Sequence, residues 1–216
     1  MGDIMGNENL IYGINGPVVT VKGKTTLSML EMVYVGNQKL VGEVIGIESD
    51  KTTIQVYEDT VGLSPNEPVY STGSQLSVML GPGILSNIFD GIERPLPALE
   101  KETGAFIGKG INVSVLDEEK LWDVHITAKQ GDFLSGGEIY AETAETPAIM
   151  HKIMLSPLLS GKLVSVKEDG QYRINDVIAV LEDDKGEKHD LTLCQKWPIR
   201  IPRPVKKRLP ASKPLV

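Results

Sequence analysis

The sequence predicts a mainly β protein in two lobes joined by one short helix. Three observations carry that expectation. Six short runs rich in β-branched or large apolar residues are spaced through residues 10–80. Gly, Pro, Asn and Asp pairs separate them, as turn chemistry requires. A second β-rich stretch, residues 110–196, contains an internal echo of itself.

The first lobe, residues 1–80, contains the runs Leu10–Tyr12, Val18–Val21, Leu30–Val35, Leu40–Ile47, Thr52–Tyr57 and Gln75–Leu80. Gly16-Pro17, Gly36-Asn37 and Ser49-Asp50 punctuate them. Six strands this short are expected to close into a small barrel, because closure removes exposed sheet edges.

Residues 81–109 form a connector. After Gly81-Pro82-Gly83, apolar residues at 84, 85, 88, 89 and 92 follow the rhythm of a one-faced helix. So short a helix is marginal alone and needs a surface to lie on. Arg94-Pro95-Leu96-Pro97 is expected to stop it.

In residues 110–196 the pattern Gly131-Asp132-Phe133, Gly137, Ile139 returns as Gly170-Gln171-Tyr172, Asp176, Ile178. Two related hairpins that bury their apolar sides against each other make a barrel-sandwich, since neither half is stable alone. Residues 197–216 carry Arg200, Arg203, Lys206, Lys207, Arg208 and Lys213 with no acid, interleaved with prolines 198, 202, 204, 210 and 214. That pattern favours an extended linker over a nucleic-acid arm. The body is acidic, with a net charge of -7, and would repel phosphate backbones. No nucleic-acid partner is expected, and aromatics at 5% are too few to suggest base stacking by an RNA-binding barrel.

With 41% hydrophobic and 24% charged residues, the composition is that of an ordinary globular chain. No run approaches the roughly 20 apolar residues a membrane helix needs, and MGDIMGNENL lacks a signal-peptide core. The lone Cys194 excludes an internal disulfide and fits a reducing compartment. The expected location is cytoplasmic, with no direct membrane insertion.

A phosphate-binding loop needs G-x-x-x-x-G-K-[ST], so that consecutive N–H groups wrap the phosphates. Gly23-Lys24-Thr25 has Val18 where the first glycine belongs. Gly108-Lys109 has Thr103 there, and Gly161-Lys162 has Ser156. All three read as turns, and no complete P-loop is present. His125, His151 and His189 are far apart and Cys194 has no C-x-x-C partner, so no metal set is expected. A catalytic pairing of Cys194 with His189 lacks an orienting motif, and a structural cysteine is the commoner case. The clusters Asp117-Glu118-Glu119 and Glu182-Asp183-Asp184 read as solvated turns. No catalytic, cofactor-binding or metal-binding residue is assigned.

Gly136–Glu142 and the stretch Ser160–Glu182 resemble lipoyl- and biotinyl-carrier domains, which present a modified lysine at a hairpin tip. Aligned on Ala141-Glu142 and Ala148, Pro147 stands where that lysine belongs, and Lys152 comes a few residues late. The alternative function is therefore a carrier-like binding module without an acceptor lysine.

Over nearly its whole length, the chain resembles the N-terminal portion of the catalytic A subunit (alpha chain) of V/A-type rotary ATPases. The anchors are Ile11–Val19, Leu40–Ile45, Gly81-Pro82-Gly83 with Phe89–Leu96, and Trp197–Arg200 with Arg203-Pro204. The resemblance implies a barrel that joins a ring of alternating A and B subunits. It implies a bulge at about 110–190 that contacts the peripheral stalk, or stator. It also implies a place in the soluble head, peripheral to a membrane, serving ATP-driven ion transport or ATP synthesis. ATP and magnesium are expected only in a nucleotide domain beyond Val216, before whose P-loop the chain is cut. The expectation for these 216 residues is therefore assembly rather than catalysis.

Overall fold

Valine and isoleucine at every second position set the barrel. In the computed structural model, which describes residues 9–85, 87–104, 108–111, 113–205, 207 and 210, the first seven strands fall in this part. They are β1 (Ile11–Asn15), β2 (Val18–Lys22), β3 (Glu31–Val35), β4 (Leu40–Ile47), β5 (Lys51–Val56), β6 (Val69–Gln75) and β7 (Ser77–Leu80). Strands β1 to β6 form one antiparallel sheet in the order β1-β2-β5-β4-β3-β6. Its two edges then meet. Ile11 N–H donates to the Glu67 carbonyl at 2.9 Å, Val69 N–H to the Asn9 carbonyl at 2.8 Å, and Leu10 bridges Pro68. The sheet is a closed barrel, with no free edge to template aggregation.

Alternation puts Val19, Val21, Val33, Val35, Leu40, Val44, Ile54, Val56 and Val69 inside, joined by Ile11 and Leu27. Burial of each such side chain is worth about 1.5–3 kcal/mol. The six-stranded barrel expected from sequence is present, with a correction to its last strand. Val69–Gln75 completes the barrel, and the run expected there, Gln75–Leu80, supplies the separate β7. Val69-Tyr70-Ser71-Thr72-Gly73 is too polar to read as a core strand, because only Val69 is fully buried.

The helix also differs. Residues 84–92 are turns and bends, with Ser86 outside the described residues, and the helix α1 is Leu96–Thr103. Asp90 folds the preceding segment into a turn. Its carboxylate accepts the Ile92 and Arg94 N–H groups, and Phe89 bridges Pro95. Pro95 and Pro97, read as a stop, instead start the helix. Proline in the first turn loses no hydrogen bond and has a pre-set φ. Leu99 is the buried anchor of α1.

The second unit holds β8 (Trp122–Ile126), β9 (Phe133–Leu134), β10 (Ile139–Thr146), β11 (Ile149–Met154), β12 (Gly161–Val166), β13 (Gly170–Tyr172), β14 (Ala179–Glu182) and β15 (Lys188–Leu191). They make two four-stranded sheets, ordered β11-β10-β8-β13 and β15-β14-β12-β9. The echo in the sequence becomes a two-fold exchange. Strand β9, bearing Phe133, pairs with β12 of the second sheet, while β13, bearing Tyr172, pairs with β8 of the first. Each half lends its short strand to the other, so neither hairpin can complete its sheet alone. Val124, Tyr140, Ala141, Ile153, Leu163, Ile178 and Leu181 are buried between them. The expected barrel-sandwich is thus the observed fold.

The last strand, β16 (Gln195–Pro198), pairs with β7, and Ile199 N–H donates to the Leu76 carbonyl at 3.0 Å. The compact units divide accordingly. One runs to Glu118 and takes in Lys196–Ile199; the other holds Glu119–Gln195 and the residues from Arg200 on. The stretch read as linker opens on this strand, with Trp197 buried. Lys206, Arg208 and Lys213 of the basic tail lie outside the described residues. Among the described residues no helix is long and apolar enough to cross a membrane.

Candidate functional site

The three Gly-Lys pairs sit in unrelated places and each has a local structural role. Gly23 turns the chain after β2 with φ 98°, and its N–H donates to the Asp50 carbonyl at 2.7 Å. Lys109 donates to Asp59 at 2.9 Å and to the Val61 carbonyl at 2.9 Å. Gly161 opens β12, where a β-carbon would run into the Glu182 carbonyl oxygen across the pair. It is a close-approach glycine in a strand.

Each histidine is paired with its own carboxylate. His125 Nδ1 lies 2.6 Å from Asp169, His151 Nδ1 lies 2.8 Å from the buried Glu145, and His189 Nε2 lies 3.1 Å from Asp183. These pairs stand on different elements. Cys194 is bound separately, its thiol donating to the Ile174 carbonyl at 3.4 Å.

One cluster was not legible in the sequence. Asp183, Glu187 and His189 bring possible ligand atoms within 4.8 Å of one another at the β14–β15 turn. Asp183 Oδ1 already accepts the Lys185 and Glu187 N–H groups, both at 2.9 Å, which hold the turn together. The His189 hydrogen bond, together with those N–H groups, keeps the Asp183 carboxyl below the ordinary range. The acidic run is therefore a hairpin device.

The hairpin tips test the carrier reading. Pro147 and Ala148 form the β10–β11 turn, so no amine stands at that tip. Lys152 stands on β11, opposite Glu142 of β10 in the strand register and away from that tip. The tip of the opposite hairpin does carry an exposed lysine, Lys185, within its acidic turn.

What the molecule presents instead is apolar surface. On the barrel, Tyr12, Met29, Ile45 and Ile47 are exposed. On the sandwich, Phe133, Met150 and Leu158 are more than half exposed, at 67%, 53% and 76%. Phe133 also lines an open groove of about 430 Å³ with Thr127, Leu134, Glu138 and Ile139. Isolated exposed apolar residues are ordinary, whereas grouped ones mark contact surfaces.

Comparison with known proteins matches both folds. Residues 11–73 match the family model described as the ATP synthase alpha/beta family, beta-barrel domain. Residues 113–200 match the ATP synthase alpha/beta subunit barrel-sandwich domain. The V-type ATP synthase alpha chain of Halothermothrix orenii is 48% identical over 98% of this chain and 36% of its own length. The A subunit of the A-type ATP synthase of Methanopyrus kandleri is 49% identical over 95% of this chain and 35% of its own. The V-type ATP synthase alpha chain 2 of Clostridium tetani is 48% identical over 95% of this chain and 35% of its own. The chain thus spans about a third of the length of the curated relatives it matches.

Proposed function

The chain belongs to the ATP synthase alpha/beta family, as the N-terminal region of a V/A-type A subunit, and on that premise we propose that it assembles rather than catalyses. Its barrel ties neighbouring subunits into a ring of A and B subunits, and its barrel-sandwich offers a docking surface to the peripheral stalk. The observation that carries this reading is a closed barrel with exposed apolar side chains on its outer wall. Phosphoryl transfer needs a phosphate cradle, a metal and a positioned water. The three Gly-Lys pairs are engaged in turns and strand pairing, which supports leaving ATP and magnesium to a nucleotide domain outside these residues. In the assembled head this region would serve proton or sodium transport or ATP synthesis, held peripheral to the membrane.

Two measurements test the reading. Calorimetry with ATP and magnesium should show no heat, and no phosphate should be released. Saturable binding with turnover would overturn the non-catalytic assignment. Excess chain added during reassembly of a V/A-type head should lower the yield of complete rings by competing with the full-length protein. A yield indifferent to any excess would overturn the assembly role.

A further inference from the structure

We propose that Asn15 is a self-modifying site, where the Asn15-Gly16 turn closes on itself, loses ammonia and is opened by water to aspartate or isoaspartate. The proposal stands on the turn alone and does not depend on the ring reading.

Three places in the chain set a short side-chain carbonyl directly before a glycine: Asn15-Gly16, Asp90-Gly91 and Asp169-Gly170. Such pairs are open to attack by the following main-chain nitrogen, because glycine has no β-carbon to shield it. The structure separates them by how the side chain is held. Both Asp90 oxygens are occupied: Oδ1 accepts the Ile92 and Arg94 N–H groups, and Oδ2 accepts Arg94 Nε at 2.7 Å. Both Asp169 oxygens are occupied as well, by the Ile126 N–H and the His125 ring. Asn15 differs. Asn15, Gly16 and Pro17 are all exposed, and among the described residues none holds the Asn15 carboxamide or the Gly16 N–H by a hydrogen bond. A β-carbon built on Gly16 would meet nothing within 4 Å, so the space around the attacking nitrogen is open.

The step is a substitution at carbon with no change of oxidation state. The Gly16 nitrogen gives its proton to solvent base and attacks Asn15 Cγ. A C–N bond forms, the Cγ–Nδ2 bond breaks, and the carboxamide nitrogen takes up a proton and leaves as ammonia. Water then opens the cyclic imide at one of its two carbonyls. Opening at Cγ yields aspartate, and opening at the main-chain carbonyl yields isoaspartate, in which the chain runs through Cγ. Either product adds a carboxylate to a chain that is already acidic.

Isoaspartate also inserts a carbon into the main chain, where consecutive Cα atoms are otherwise fixed about 3.8 Å apart. The turn is tied on both sides, so the insertion has consequences. Asn15 is the last residue of β1 and pairs with Val18, the first of β2. The Thr60 hydroxyl donates to the Gly16 carbonyl at 2.8 Å, and the Val56 N–H donates to the Pro17 carbonyl at 2.8 Å. The added carbon displaces these contacts at one end of the barrel. Exposed turn tips are where a fold tolerates such a change, so the barrel itself survives it.

The experiment ages the 216-residue chain at mildly alkaline pH, beside the same chain in denaturant, which sets the rate of the unrestrained pair. Peptide mass spectrometry reads each asparagine, and methyl transfer from S-adenosylmethionine by an isoaspartyl methyltransferase counts isoaspartate. In the folded chain Asn15 should be the first asparagine lost, with isoaspartate appearing at the same position. The Val18, Val56 and Thr60 amide signals should shift in the NMR spectrum of the aged protein. Asn15→Ser keeps a small polar residue at the end of β1, and thermal melting checks that it folds. It should lose the methyl acceptance over the same period. An Asn15 still intact in the folded chain after the denatured chain has converted would overturn the proposal, since the folded turn would then hold the carboxamide out of reach. Methyl acceptance by Asn15→Ser equal to that of the unmodified chain would overturn it as well, because the isoaspartate would lie elsewhere.

Discussion

Glu31 accepts the Ser71 hydroxyl at 2.5 Å and thereby holds the β3–β6 seam of the barrel around a bulge. The register slips between Glu31 and Val33, and the extra residues of β6 wrap the carboxylate. Oε1 also accepts the Gly73 N–H at 2.9 Å, and Oε2 accepts the Ser28 N–H at 2.7 Å. Gly73 supplies the positive φ of 66° that the wrap requires. The side chain is acceptor-only when ionised, and each of these three groups is a donor. Glu31→Gln puts an amide NH₂ against one of those donors. The expected loss is about 2 kcal/mol of stability, read from urea unfolding, with the unfolding slope unchanged.

The same site gives the barrel an acid-side pH dependence. Burial alone would raise the Glu31 carboxyl, but the Ser71 hydroxyl and the surrounding backbone N–H groups hold it below its ordinary value of 4.5. Asp90 behaves alike. Burial opposes ionisation there, while the Arg94 N–H, its guanidinium and the Ile92 N–H hold the carboxyl below 3.8. A carboxyl depressed in the folded state contributes stability that is present above its unfolded value and is lost as pH falls through the folded one. Stability should therefore be level above about pH 5 and decline below it as these carboxyls protonate. In Glu31→Gln the decline should be shallower. An equally steep decline in that variant would remove Glu31 from the account.

The barrel was legible where burial is periodic. Val33 and Val35, or Ile54 and Val56, announce their strands because alternate positions face one interior. Strand β6 was not legible, since its Ser and Thr side chains serve Glu31 and the Met32 carbonyl rather than the core. The helix was misplaced because 84, 85, 88, 89 and 92 have helical spacing, while Asp90 builds a turn there that outweighs it. The echo of Gly131-Asp132-Phe133 in Gly170-Gln171-Tyr172 foretold two halves. That each half hands its short strand to the opposite sheet is a pairing choice, visible only when folded.

Tyr57 donates its hydroxyl to Glu43 at 2.7 Å, and Glu43 has no exposed surface at all. A buried carboxylate that loses one donor bears part of its desolvation cost uncompensated. Tyr57→Phe keeps the ring and removes only the hydroxyl. It should lower stability by about 1–3 kcal/mol, measured by thermal or denaturant unfolding. The double variant Tyr57→Phe with Glu43→Gln should cost less than the sum of the two singles, because the pair is coupled. Strict additivity would mean the hydroxyl contributes nothing to Glu43.

His125 and Asp169 join β8 to the turn before β13 at the surface. Asp169 Oδ1 accepts the Ile126 N–H at 2.8 Å, leaving Oδ2 for the imidazole. The hydrogen bond to Asp169, and then its charge, raise the His125 pKa above 6.5. A raised histidine contributes stability that is present below its unfolded value and lost as pH rises through the folded one. Titration of the His125 ring by NMR should give a midpoint above the ordinary value. In Asp169→Asn that midpoint should fall back, with the Ile126 amide shifted as well. A midpoint unmoved by the substitution would mean the pair is not formed in solution, where both groups are well exposed to screening.

Gly161 separates a strand glycine from a phosphate-loop glycine most directly. At the start of β12 a β-carbon would press on the Glu182 carbonyl oxygen and on Leu181, which is fully buried. The obstruction is backbone and core, so no rotamer change relieves it. Gly161→Ala should force β12 and β14 apart where Lys162 pairs with Glu182, at a cost of about 3 kcal/mol. Hydrogen exchange should then accelerate at Leu163 and Leu181, while the barrel amides of β3 and β5 keep their protection. A glycine needed to wrap phosphate would behave differently. Its replacement would leave the apo protein near its original stability and appear only as lost nucleotide binding. The strand role therefore predicts a stability defect in the absence of any nucleotide, localised to the sandwich.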